Sequence, residues 1–566
     1  MDAGRAIVEI LHAENVKCVF GLPGGHVLHI YDGLYAHPEI RHVLVRHEQA
    51  AASLAAAYAQ LTGEVGVCLV TAGPGATNLL SGIAEAFIGS LPIVILAGRA
   101  PTGEAFRGAN QEVDTDLIFA PVTKWTVRVD RADLVPSIIR QAFKIARSGK
   151  PGPVYVDLPP DILGQEISFE HYVPVGPRPR PRGDAVQIAA AAGLLAQAKR
   201  PIIIAGGGSI AANASDLIVE LAERLGAPVL TSLSGRGSIP DSHPLSLGGL
   251  GAHRNDLSAR LLKEADVILG LGCKFEQMET NWTPAFLPSA ECRLIQVDID
   301  PEEIGRSLTP ASSVVGDIRE VVADLLAVLG DRFPRPSARD LASSPNVRAW
   351  LDEVASMEVE ADALAASLER PIHPMRAIRA ARKVFPPETT VAFDVGAMAQ
   401  HMAGGFPIFR TNGPRSVISP SSYYGMGFCA MALPAARIAH PDRPAVCFVG
   451  DGSFQMAANI LMVALEHKLP VTWIILNDLA LGSIRDVQEF IFGNRVIGTD
   501  LLVQPDFAAI ARACGCFGEQ VSDPALVEAA MQRALDANNA GQPAVLDILV
   551  ARERCKATNE FFPLPR

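Results

Sequence analysis

Two acidic residues each stand where an apolar run stops. Asp451 follows AVCFV in the turn GDGSF (450–454), and Asp478 follows TWIIL in the segment NDLALG (477–482). Strands that end this way place their carboxylates at the carboxyl edge of a parallel sheet, where doubly wound folds bind ligands. Gly450 and Gly452 let the backbone approach a ligand, and the helix after them is favourable for phosphate. Two hard carboxylate oxygens beside a phosphate site suit Mg²⁺, which usually completes its shell with phosphate and water. Far upstream, Glu48 opens the Ala-rich run EQAAASLAAAYAQLT, where an acid in the first helical turn complements the macrodipole. The loop GLPGGHVLHIYD (21–32) carries His26 and His29, whose imidazoles titrate near neutral pH. Glu489 stands four residues after Arg485, as a helical ion-pair partner or as a group facing a substrate.

Elements that position these residues are legible from apolar runs. In the N-terminal stretch Cys18–Phe20, Val65–Thr71, Pro92–Ala97 and Pro151–Leu158 read as strands, with helices at Ala6–Glu14 and Glu48–Thr62. A Pro/Arg stretch at Val173–Gly183 is the first expected linker. A second unit runs through Pro201–Ala205, the turn AGGGS (205–209), Pro228–Thr231, Asp266–Leu271 and Leu294–Ile299; Arg332–Asn346 is the second expected linker. The third has a helix at Ile372–Val384 and strands at Thr390–Asp394, Ala445–Val449, Val471–Leu476 and Ala544–Val550. Strands alternating with helices imply an α/β fold of three doubly wound parallel sheets. The expected domains are 1–172, 184–331 and 347–550, with a tail at 551–566 that could close over a site.

Composition agrees. At roughly 150 residues per domain, 566 residues make about three to four domains. With 48 Gly, 42 Pro and only 6% aromatic residues, an all-β or coiled-coil protein is excluded. A net charge of −12 argues against a broad nucleic-acid surface. No run approaches the roughly 18 apolar residues of a membrane helix, and charges interrupt residues 1–20, so a soluble, cytoplasmic chain without a signal peptide is expected. The nine Cys are scattered and read as buried free thiols.

GDGSF followed by NDLALG resembles the thiamine diphosphate (ThDP) motif, GDG and then NN after about 25 residues. The resemblance implies a metal held by Asp451, Asp478 and the backbone carbonyl of Ala480, with Asp478 standing where the family usually has Asn. VRHEQAAASLAAAYAQLTG resembles the RHEQ helix of acetolactate synthase relatives and makes Glu48 the carboxylate expected against the aminopyrimidine N1′. SSYYGMGFCAMALPAA (421–436) resembles the pyrimidine-binding stretch of the same family. Gly427 would offer its carbonyl there, and Cys429 would wedge the cofactor, unless Phe428 or Met426 contributes. Further cofactor contacts are expected from Pro23, Gly73, Asn78, Ala397, Met398, Ser453, Leu481 and Gly482, besides Gly450 and Gly452. Family order implies pyrimidine-binding, central and diphosphate-binding domains in a homodimer or homotetramer, with active sites at the dimer interface.

Within the family, residues typical of acetolactate synthase are replaced. FQE becomes Asn110-Gln111-Glu112, the Trp after the metal loop becomes Val487, and DVGQHQ becomes Asp394-Val395-Gly396-Ala397-Met398-Ala399. FDDR of the FAD region becomes Phe275-Glu276-Gln277-Met278, which leaves FAD, ADP or an empty central domain open. The tail ARERCKATNEFFPLPR resembles that of 2-hydroxyacyl-CoA lyases; Arg552, Arg554 and Lys556 would contact CoA phosphates or form a solvated basic end. The favoured expectation is a 2-hydroxyacyl-CoA lyase that yields formyl-CoA and a ketone or aldehyde, with His26, His29, Gln111 or Glu489 assisting loss of the hydroxyl proton. The alternative is an acetolactate synthase-like decarboxylase or carboligase for pyruvate, another 2-oxo acid or a diketone. A non-catalytic ThDP-fold subunit is the third reading.

Overall fold

A computed structural model describes residues 1–169, 171–396, 409–411 and 413–553. The chain forms two compact units, one of residues 1–179, 423–441 and 457–469, the other of 180–422, 442–456 and 470 onward.

The first unit is built on six parallel strands: β1 (Cys18–Leu22), β2 (Arg41–Leu44), β3 (Gly66–Val70), β4 (Ile93–Gly98), β5 (Trp125–Arg128) and β6 (Val154–Leu158), in the order β2-β1-β3-β4-β6-β5. Its interior strands are apolar and buried because helices cover both faces. Helix α1 (Glu48–Thr62) is buried along nearly its whole length, and Ala is what such a position requires. A Cβ on Gly66 would come within 2.4 Å of the Ala55 carbonyl oxygen, and one on Gly82 within 2.5 Å of Ala52 Cβ. The helix stops at Gly63, whose φ of 78° is a left-handed cap. Helix α2 (Phe428–Ala432) packs on it within the same unit.

The second unit holds two more parallel sheets. The central one comprises β7 (Pro201–Ala205), β8 (Val229–Thr231), β9 (Ser246–Gly249), β10 (Val267–Leu271), β11 (Arg293–Asp298) and β12 (Ser312–Val315), in the order β12-β11-β10-β7-β8-β9. The last comprises β13 (Thr390–Phe393), β14 (Val417–Ile418), β15 (Ala445–Gly450), β16 (Thr472–Asn477), β17 (Phe517–Val521) and β18 (Ala544–Leu549), in the order β14-β13-β15-β16-β18-β17. β15 turns directly into α3 (Asp451–Ala457), and the loop after β16 leads into α4 (Gly482–Ile491). The fold class is the α/β arrangement of three parallel sheets expected from the sequence.

The stretch 332–346, expected as a linker, contains a helix at Ala338–Ser343 and the start of a 21-residue helix, Pro345–Ala365. Its Ser and Pro are helix-start residues: Ser337 Oγ caps the Asp340 N–H at 3.2 Å, and Pro345 occupies a first helical position. Among the described residues eight cysteines are free; Cys292 and Cys514 are half-buried rather than buried. No helix is long and apolar enough to cross a membrane among the described residues.

Candidate active site

In the first unit the site grows from the carboxyl ends of β1 and β3. Glu48 is the first residue of α1 and only 6% exposed. His47 caps the helix, its Nδ1 accepting from the Gln49 N–H at 3.2 Å, so the Glu48 side chain is free for a tertiary role. Its Oε2 accepts from Asn78 Nδ2 at 2.9 Å. A Cβ on Gly75 would stand 3.6 Å from Oε1, so glycine leaves this side of the carboxylate open. Gly73, with φ +56°, closes on Gln111, whose carbonyl oxygen would lie 2.8 Å from a Cβ there.

Thr71, at the end of β3, joins two expected residues. Its Oγ1 lies 3.3 Å from His26 Nδ1 and donates to Gln111 Oε1 at 3.5 Å. Burial lowers the His26 pKa, which favours the neutral ring. Gln111 adopts φ +60° on a loop gathered by Glu112, whose carboxylate accepts the N–H groups of Phe106, Gly108 and Ala109 at 2.5, 3.0 and 2.9 Å. Pro23 is exposed in the loop beside them. His29 is not brought to His26. It is exposed, 4.0 Å from Asp2, and packs against Gly4 and Gly164. The short turn Gly25–Val27 breaks at Val27, with φ −123° and ψ 14°, before the helix Leu28–Tyr35, so the two histidines do not share a helical face and the expected imidazole pair does not form.

Gly427 caps α2 with φ +81°, and the Gly425 N–H donates to the buried Glu85 carboxylate at 3.2 Å. Cys429 and Phe428 are enclosed, whereas Met426 keeps exposed surface.

In the second unit Asp451 is 1% exposed. Its Oδ1 accepts from the Gly452 N–H at 2.9 Å and its Oδ2 from Gln504 Nε2 at 2.5 Å. Asp478 Oδ2 is enclosed and, among the described residues, without a hydrogen-bond partner. Burial pushes Asp451 up to about 6; burial, and then the charge of Asp451, push Asp478 up to about 7. Two enclosed like charges with one orphaned oxygen are the donor set a divalent cation satisfies, so these residues fit the expected metal. The loop is preset from behind: Asn477 Nδ2 donates to the buried Asp547 at 2.9 Å, and the Leu481 N–H donates to the Thr499 carbonyl at 2.8 Å. Leu479 has φ +59°, and Ala480 bridges Asp500. A Cβ on Gly482 would fall 2.3 Å from Asp478 Oδ2 and displace that carboxylate. Ser453 Oγ donates to the Val395 carbonyl at 3.3 Å. Among the described residues nothing within 4 Å would meet a Cβ on Gly450.

Beyond the loop, Glu489 pairs with Arg485 and accepts from Arg552 Nη2 at 3.0 Å. Arg552 Nε also lies 3.4 Å from Asp486. Glu489 is therefore ion-paired within its own helix and at the exit of the C-terminal strand. The Arg552 charge is likewise taken up by carboxylates. Ala397, Met398, Arg554 and Lys556 lie outside the described residues. Sequence reasoning missed Thr71, Gln504 and Asp486; Thr71 at least closes the apolar run GVCLV, while the others carry no local signal.

Three parallel α/β sheets, with carboxylates and glycines at the strand ends, define a class that binds a phosphorylated cofactor. Family models for thiamine pyrophosphate enzymes match in chain order: the N-terminal TPP binding domain over 1–118, the central domain over 188–332 and the C-terminal TPP binding domain over 394–548. The probable acetolactate synthase large subunit of Methanocaldococcus jannaschii is 35% identical over 562 residues, covering 97% of this chain and 92% of that protein. The acetolactate synthase isozyme 3 large subunit of Escherichia coli K12 is also 35% identical, over 97% and 95% of the two chains. The acetolactate synthase large subunit of Parasynechococcus marenigrum is 38% identical over 98% and 88%. The chain belongs to the ThDP-dependent, acetolactate synthase-like enzyme superfamily. These relatives favour the 2-oxo-acid alternative over the acyl-CoA lyase expected from the tail.

Proposed function

We propose that this chain is the catalytic subunit of an acetolactate synthase-like carboligase, which decarboxylates a 2-oxo acid such as pyruvate and joins the remaining acyl unit to a second carbonyl compound. The observation that carries this reading is the near full-length similarity to acetolactate synthase large subunits, together with a buried Glu48 held by Asn78. Bound ThDP would supply an acidic thiazolium carbon and an electron sink for the pair left behind when CO₂ departs. Glu48 holds a proton at the aminopyrimidine N1′, and Asn78 keeps its carboxylate oriented. Asp451, Asp478 and the Ala480 carbonyl hold Mg²⁺ with the diphosphate; Gly450, Gly452 and Ser453 leave room for it, and Leu481 and Gly482 shape the loop. Gly427 offers its carbonyl to the pyrimidine, and Gly73 and Pro23 are further cofactor contacts in this reading; among the wedge candidates Met426 is favoured, because Cys429 and Phe428 are already enclosed. His26 and Gln111, joined through Thr71, face the substrate and hold its oxygen or proton.

The division into domains 1–172, 184–331 and 347–550 and a homodimeric or homotetrameric assembly belong to the same proposal, as does the lack of a phosphate role for Arg552, whose charge Asp486 and Glu489 take up. The test is a mass-resolved product assay with ThDP and Mg²⁺, offering pyruvate in one tube and a branched or aromatic 2-hydroxyacyl-CoA in the other. Acetolactate or CO₂ from pyruvate is expected. Formyl-CoA from the second tube alone would overturn the proposal.

A further inference from the structure

In the first unit, away from the residues assigned above, two imidazoles and two carboxylates converge where the helix Ala3–Ala13 meets the turn 36–40. Glu9 and His12 are three residues apart on that helix and so share a face. His37 and Glu39 flank Pro38 in a turn closed by the His37 N–H to the Leu34 carbonyl at 3.1 Å and the Ile40 N–H to the His37 carbonyl at 3.0 Å. Glu39 Oε1 lies 3.0 Å from His12 Nδ1 and 2.8 Å from His37 Nδ1. One ligand atom from each of His12, His37 and Glu39 lies within 4.8 Å of the others. A tetrahedral cation with bonds of 2.0–2.1 Å spaces its ligand atoms by about 3.3 Å, which the two Glu39–histidine distances already approach.

The second observation is on the far side of His37. Its Nε2 is 3.1 Å from Glu9 Oε1. With Glu9 accepting the Nε2–H, a metal has only to displace the Nδ1 proton that faces Glu39 for the Nδ1 lone pair to point into the cluster, the arrangement by which metal-binding histidines are oriented. The ring of His12 sits 5.5 Å from that of His37, so both are already gathered. His₂-carboxylate with an open fourth position is a donor set for zinc and its neighbours rather than for Mg²⁺ or Ca²⁺.

We propose that His12, His37 and Glu39 form a binding site for a first-row transition-metal dication, with Glu9 as the residue that orients His37. A metal there ties the first helix to the turn before β2 and keeps one position for water or an external ligand. The site is tested on the full chain stripped with a chelator and then saturated with ThDP and Mg²⁺. Zn²⁺ is titrated calorimetrically and Co²⁺ by its visible d–d absorption. The wild type is expected to bind one Zn²⁺ in the micromolar range or tighter and to give a four-coordinate Co²⁺ spectrum. H37A should lose both, with turnover unchanged, and the conservative E9Q should weaken binding by about 10- to 100-fold. Zn²⁺ binding unchanged in H37A, or none in the wild type up to millimolar metal, would overturn the site. E9Q binding like the wild type would overturn the role of Glu9.

Discussion

Replacing Glu48 by Gln separates the chemical role of this carboxylate from its structural one. Gln keeps the shape and an oxygen that accepts from Asn78 Nδ2, so the 2.9 Å contact survives. The bond loses its charge assistance, a cost of about 1 kcal/mol, while the desolvation of a carboxylate only 6% exposed is relieved. These effects oppose each other, and the folding stability of E48Q should stay within about 1 kcal/mol of wild type. The proton function is lost, and removing a positioned acid or base costs roughly 10²- to 10⁴-fold in rate, or about 3–5 kcal/mol of barrier. The assay is acetolactate or CO₂ formation under saturating ThDP and Mg²⁺, with ThDP binding followed separately by fluorescence quenching and stability by thermal melting. The expected pattern is unchanged melting, retained ThDP and a collapse of turnover. Turnover within a fewfold of wild type would refute the assignment of Glu48, and a large drop in melting temperature would refute the account of its packing.

Asp478, pushed up to about 7, binds a proton in the folded metal-free protein at pH values where the unfolded chain has released it. Stability of the metal-free protein should therefore fall as pH rises from about 4 to about 7, and D478N should flatten that slope; a wild-type profile already flat in this window, measured by thermal melts, would contradict the reading. G482A places a Cβ 2.3 Å from Asp478 Oδ2 and should weaken Mg²⁺-dependent ThDP binding with little change in melting of the metal-free protein; titration showing wild-type affinity would refute the need for glycine. R552Q removes one cationic partner from Asp486 and from Glu489, which keeps Arg485, and should destabilise the fold by about 1–3 kcal/mol in denaturant unfolding, while leaving any CoA retention on an affinity resin as in wild type.

Glu48 at the start of an Ala-rich helix, and Asp451 and Asp478 after apolar runs, were legible because capping, strand termination and burial are encoded in a few neighbouring residues. Every interior strand of the three sheets was legible for the same reason. Covered on both faces, β1, β3, β4, β6, β7, β8, β10, β11, β13, β15, β16 and β18 are largely apolar runs, with the buried Asp157, Gln296 and Asp547 as exceptions inside β6, β11 and β18. The strands that escaped were β2, β5, β9, β12, β14 and β17, the two edges of each sheet. An edge is covered on fewer sides: Trp125–Arg128 and Phe517–Val521 mix half-exposed and exposed positions, and Val417–Ile418 is only two residues long.

Side-chain partnerships were decided by the tertiary structure alone. His26 and His29 are close in sequence, yet one meets Thr71 and the other Asp2, because the backbone breaks at Val27 and places them on separate helical segments. Gln504 reaches Asp451 across 53 residues, and Arg552 reaches Glu489 across 63. The sequence by itself determined which residues end strands and start helices, since those choices depend on local apolarity and backbone preference. Which side chains those ends bring together depends on how distant segments cross, and no local pattern records that.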